Sequence, residues 1–199
     1  MKILFVSWHH LDGTAEGLAS ARLASALARR GHEVTLLTRK LLEPEPFHPL
    51  DLDRWGRLGA LPHLLRGCTV EEKGWARAVA RTVARTTAEL GPFDVLHSRL
   101  NPAASHLAAL EVLKKVELPW CAYFSDPWPH HLYPEPYRFT VGPLSRRRLE
   151  LSLDAMLRRA DSLVFPSGRL RDWLLSGRRE RFRSKSFIAP HLGEEGAPS

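Results

Sequence analysis

Cysteine is scarce in this chain. Only Cys68 and Cys121 occur in 199 residues, far apart and without a CxxC spacing, which excludes a disulfide framework and a thiolate zinc site. Both read as structural, Cys121 as a small buried residue inside the apolar run PWCAYFS. Long apolar runs are lacking too: none approaches the roughly 20 residues that span a bilayer. The first residues, MKILFV, pass straight into a strand pattern rather than a signal-peptide core. The expectation is a soluble, cytoplasmic protein of one sizeable domain, since 199 residues at 44% hydrophobic content can bury a full core but not two. A GxGxxG fingerprint is also missing. Gly13 and Gly17 are spaced GxxxG, and the second strand pattern ends in Thr38 and Arg39 rather than an acid, so a dinucleotide cofactor is disfavoured. No metal is expected either. His9–His10 and His130–His131 are adjacent pairs whose side chains diverge on extended backbone, with no fixed third ligand in view.

What is present is alternation. MKILFVSW reads as a strand, residues 15–30 as a helix closed by Gly31, and HEVTLLT as the next strand. Residues 41–67 are rich in Pro, Leu and charge, and no strand can be placed there from the pattern. Residues 75–90 form an amphipathic helix, with Trp75, Val79 and Val83 on one face and Arg77, Arg81 and Arg85 on another. FDVLHS, PWCAYFS, SLVFP and SFIAP read as further strands. Helices are expected from Asn101 to about Val116, from Pro143 through Leu149, Leu153, Met156 and Ala160, and from Ser167 to Gly177. This order predicts a doubly wound, mainly parallel α/β sheet of Rossmann-like type, helices on both faces.

The net charge of +7 is concentrated. Residues 146–185 hold 12 Lys and Arg against 5 Asp and Glu, and the rest of the chain holds 17 against 17. Such a stretch is either an ordinary solvated helix surface or an attractor of anions, an anionic membrane included. No nucleic-acid-reading motif accompanies the arginines, so nucleic acid is not an expected partner.

In an open parallel sheet, ligands bind beyond the carboxyl ends of the strands. That rule selects His9, His10, Gly13 and Thr14 after the first strand, Arg99 and Asn101 after FDVLHS, and Asp126, Trp128 and His130 after PWCAYFS. The loop at Gly13 can aim helix amides at an anion or a hydroxyl. Arg99 can grip a phosphate or carboxylate with its planar fork, and Asn101 is either a ligand contact or a helix cap. Asp126 is either a base or hydrogen-bond acceptor for a substrate hydroxyl, or an Asp starting a turn before Pro127. Trp128, Tyr133 and Tyr137 either stack on a ligand or anchor the long, Pro-rich loop DPWPHHLYPEPYRF. His97 reads as a packing residue.

Taken in order, GTAEGLASARLASALARRGHEVTLLT, FDVLHSRLNPAASHLAAL, PWCAYFSDPW, RRADSLVFPS and FIAPHLGE resemble family 4 glycosyltransferases over nearly all of residues 1–193. Residues 194–199 form a polar tail. The resemblance implies one half of a GT-B fold, the amino-terminal, acceptor-side domain. It also implies hexosyl-type transfer from a nucleotide sugar to an acceptor without an essential metal or bound cofactor. It carries functional weight to the Gly13 loop, Arg99 and Asp126, with Arg99 standing where many members have histidine. Members also carry a donor-binding domain marked by two glutamates separated by seven residues, and no Glu here is followed by another eight positions on. The chain alone is therefore expected to be inactive: a fragment, one part of a split enzyme that needs a donor-domain subunit, or a solitary domain that has lost transfer activity. The competing expectation is a non-catalytic adaptor that uses its basic surface on an anionic membrane, at the inner face, or on a protein.

Overall fold

The computed structural model describes residues 1–10, 13–39, 48–51, 70–90, 92–100 and 103–191. Asn101, Cys68, most of residues 41–67 and the tail lie outside them. Among the described residues, seven strands form one wholly parallel sheet in the order β3-β2-β1-β4-β5-β6-β7. They are β1 (Lys2–Val6), β2 (Glu33–Thr38), β3 (His48–Asp51), β4 (Val95–Leu100), β5 (Trp120–Phe124), β6 (Ser162–Phe165) and β7 (Ser186–Ile188). Between them run α1 (Ala15–Arg29), α2 (Val70–Leu90), α3 (Ala104–Val112), α4 (Pro143–Arg159) and α5 (Gly168–Leu174), plus 3-10 turns at His130–Leu132 and Gly177–Lys185.

The chain first moves outward from β1 to β3, then returns past β1 and proceeds to β7. Right-handed crossovers therefore put α1 on one face and the later helices on the other. Alternation along β1 fits this. Leu4 and Val6 join the core under α2, α3 and α4, while Ile3 and Phe5 pack with Val34 and Leu36 against Ala24, Leu23 and Leu27 of α1. β1 is paired on both sides, which is why KILFV is almost uninterruptedly apolar.

Local signals explain the helices. Thr14 caps α1, its hydroxyl accepting from the Gly17 amide at 2.9 Å, and Gly31, at φ +80°, ends that helix in the left-handed conformation. On α2, Trp75, Val79 and Val83 are buried and Arg77, Arg81 and Arg85 exposed, as the pattern predicts. Pro143 occupies the first turn of α4, and the Ser167 hydroxyl caps α5 by accepting from the Leu170 amide. Two expectations shift. The cap position of α3 is Ala103, not Asn101, and the helix proper ends at Val112. A strand does lie within the unplaced stretch: β3, paired with β2 from Thr35–His48 to Thr38–Asp51.

Candidate functional site

The order reverses between β1 and β4, and the carboxyl ends of those strands and of β5 open into a cleft of about 390 Å³. Its walls are Ala15, Glu16, Leu18, Ala19 and Arg22 from the first turns of α1, Ser125 and Asp126 after β5, and His191 after β7. One acid and one base of this set are joined from beneath by Arg99. The Arg99 Nε donates to Glu16 Oε1 at 2.8 Å and one terminal nitrogen reaches Glu16 Oε2 at 3.4 Å. That same nitrogen lies 3.4 Å from Ser125 Oγ and 3.3 Å from His191 Nδ1. The guanidinium stacks over the Tyr123 ring, 4.2 Å from its centroid, and the Tyr123 hydroxyl donates to the Ala189 carbonyl at 2.8 Å.

This changes the role of Arg99. At 2% exposure it faces Glu16 rather than the opening, so its fork is used within the protein and not on a ligand anion. It acts as a positioning residue that ties α1, β5 and the segment after β7 into one wall. Because Arg99 is donor-only, His191 Nδ1 must accept, which leaves Nε2–H as the donor of that ring. Burial, then the Arg99 charge, hold the His191 pKa below its usual value, against the opposing pull of Glu16 and Asp126. The ring is accordingly neutral at pH 7.

Asp126 stands at the cleft wall, where the strand-end rule puts it. Its charge also reaches Tyr133, whose hydroxyl is pushed up to about 12, chiefly by burial and then by Asp126. Of the paired histidines, His10 is fully buried and His9 half-buried, the divergence expected of neighbours on extended backbone. Gly13 takes φ +82°, where a side chain would be strained, and Thr14 spends its hydroxyl on the helix cap. Trp128 is a correction: at 6% exposure it belongs to the main core and offers no face to a ligand. His130 is exposed and packs on Tyr133 and Phe139. Asn101 lies outside the described residues. No three His, Cys, Asp or Glu side chains converge as a metal set among the described residues.

Glu16 and His191 are cleft residues that the sequence reading did not select. An acid in a first helical turn ordinarily reads as a complement to the helix dipole, and the strand-end rule would have reached His191 had it been applied to β7.

Comparison with known proteins bears on the family and the fold. The glycosyl transferase 4-like domain model matches residues 16–183. Among curated proteins nothing matches. Sucrose-phosphate synthase from Thermosynechococcus elongatus superposes with a TM-score of 0.62 at 17% identity, over 96% of this chain and 48% of that one. The catalytic domain of starch synthase IV from Arabidopsis thaliana, bound to ADP and acarbose, gives 0.64 at 8% identity over 96% and 51%. UDP-GlcNAc 2-epimerase from Methanocaldococcus jannaschii gives 0.56 at 15% identity over 94% and 45%. These identities speak for the fold alone, and the chain spans about half the length of the three structures. The sheet is the Rossmann-like unit of GT-B proteins, and with the family model covering most of its length the chain belongs to the glycosyl transferase 4-like domain family.

Proposed function

We propose that this chain is the acceptor-side domain of a glycosyltransferase, moving a hexosyl group from a nucleotide sugar to an acceptor hydroxyl once a donor-binding domain closes over the cleft. The observation that carries the reading is the strand-end cleft itself. It presents two carboxylates, Glu16 and Asp126, and one imidazole N–H, at the point of strand reversal in a member of this family. In the transfer, the bond between the sugar and its diphosphate breaks, the acceptor oxygen bonds to the sugar, and the acceptor proton must leave. Asp126 is the group we assign to that last task, because it lines the cleft directly after β5. His191 Nε2–H then orients a second hydroxyl of the acceptor. In this reading the diphosphate is neutralised by the companion domain, without metal or bound cofactor.

Support for a companion domain comes from the sheet. On the α1 side, Tyr123, Val164 and Phe187 share one row across β5, β6 and β7. Val164 is only half-buried and Phe187 is 56% exposed, whereas Phe124 and Phe165 on the other side are fully buried. Parallel sheets are ordinarily covered on both faces.

The test is ligand-observed NMR of the chain with a panel of sugars and polyols, followed by transfer assays with a donor-binding domain added. Binding should vanish in Asp126→Asn, and with the companion present that variant should lose at least about a hundredfold in rate. Transfer by the chain alone would overturn the need for a partner. Wild-type affinity in Asp126→Asn would overturn the placement of the acceptor.

A further inference from the structure

The concentrated positive charge of residues 146–185 has a specific architecture on α4. Its buried side is Leu149, Leu153, Met156 and Leu157. At 100° per residue, Leu144, Leu151 and Ala155 fall together on the opposite side, within an arc of roughly 40°. Leu144 is 53% and Leu151 57% exposed. Arg147 and Arg158 flank that apolar stripe on one edge, Arg148 and Arg159 on the other; the first three are exposed, and Arg159 approaches Asp161 only to 4.0 Å.

The acids of α4 do not offset this arc. Glu150 is engaged by Arg146, Arg178 and His131, and Asp154 by Arg178 and Arg179. The helix therefore directs an apolar centre with cationic margins outward. Two aromatic side chains, Tyr137 at 68% and Phe139 at 64% exposure, stand just before its first turn. Beyond its last turns the stripe runs into a groove of about 600 Å³ against α3, lined by Leu107, Leu110, Leu113 and Ala155 and edged by Lys114, Arg158 and Arg159. The Lys114 there is paired with Glu111 at 2.6 Å.

We propose that this outer face of α4 docks on an anionic lipid bilayer, the leucines entering the headgroup boundary and the arginines meeting lipid phosphates. Charge complementarity selects this occupant. An apolar stripe framed by cations, on a helix whose acids are neutralised internally, is the pattern of a helix lying in a membrane interface. A protein partner would need acids matched to four separate arginines. The inference is independent of the transfer reading, since it involves none of the cleft residues.

The full 199-residue chain, sedimented with phosphatidylcholine vesicles and with vesicles containing phosphatidylglycerol, tests it. Binding should require the anionic lipid and weaken as salt is raised. Arg147→Gln with Arg148→Gln should lower the partition coefficient roughly thirtyfold, about fivefold for each charge, while Arg147→Lys with Arg148→Lys should preserve it. Leu144→Ser with Leu151→Ser should lower it about tenfold even at high salt. Circular dichroism should show each variant folded like the wild type. Equal binding to both vesicle types, or binding that survives the Gln pair, overturns the proposal. So does a chain that ignores vesicles but forms a dimer that Leu144→Ser with Leu151→Ser dissociates, because that assigns the face to a second copy.

Discussion

Arg99 holds a full charge at 2% exposure, and the cost of taking it from water is met by Glu16, itself 9% exposed. Removing one partner strands the other, so Arg99→Met should lower unfolding free energy by about 3–5 kcal/mol in urea titration, and Arg99→Met with Glu16→Leu by clearly less than the two single losses combined. Additive losses would show that the pair is not coupled. Nearby, Trp120 Nε1 donates to Ser98 Oγ at 2.8 Å, which frees the Ser98 proton for His106 Nδ1 at 2.9 Å. Burial lowers His106 to about 3, with His97 and Arg99 adding to it, and burial followed by Arg99 lowers His97 to about 3. Below pH 6.5 the unfolded chain takes up protons that these two histidines refuse in the native state. The stability they confer is thus complete above about pH 6.5 and is lost as pH falls toward 3, at up to about 1.4 kcal/mol per pH unit for each. His97→Phe, which keeps the ring packed against Phe5, should remove one such contribution from the acid limb of a stability–pH profile. An unchanged slope would refute the assignment.

At the scale of elements, periodicity and most caps were legible, whereas the cap of α3, read at Asn101, and the pairing partners were not. Ser167, Pro143, Gly31 and the α2 stripe lie where local chemistry places them, because each is decided within one or two turns. β3 escaped the pattern for a physical reason: HPLD is a short strand that, among the described residues, pairs only with β2 at the sheet edge, where Pro tolerates the missing ladder donor. The strand-end rule led to Asp126, since it asks only where an apolar run stops. It did not lead to the Arg99–Glu16 or Arg99–His191 contacts, which join residues 83 and 92 positions apart, a distance that no spacing in the sequence encodes. Trp128 was misplaced because an aromatic after a strand looks the same whether it turns inward or outward. Thr14, which the strand-end rule selected, has a structural task as the cap of α1. Thr14→Ala should cost about 1 kcal/mol, read from thermal or urea unfolding, and Thr14→Ser should recover most of it. A silent Thr14→Ala would mean that the hydroxyl is not needed by the helix.

For the whole molecule, the uneven covering of the sheet has a consequence that one thiol can report. Cys121 lies on the α1 side of β5, opposite Ser162 of β6, and is half-buried and free. Burial pushes its thiol up to about 11, so little thiolate exists at pH 8. In a Cys68→Ser background, iodoacetamide should therefore modify Cys121 about a hundredfold more slowly than an unfolded-chain cysteine, followed by mass spectrometry. Reaction at the unfolded rate would contradict the packing around β5. If the proposed donor-binding domain covers half-buried Val164 and exposed Phe187, it should slow the reaction further, because the same contact that excludes water from Phe187 closes the route to Cys121. The cleft and this face lie on one side of the sheet, with Arg99 and Tyr123 neighbours across β4 and β5. On the proposed reading, closure over the acceptor and protection of the thiol should consequently appear together as a donor-binding domain is titrated. Transfer activity regained without protection of Cys121 would place the companion on the cleft alone and leave the open sheet face to another role.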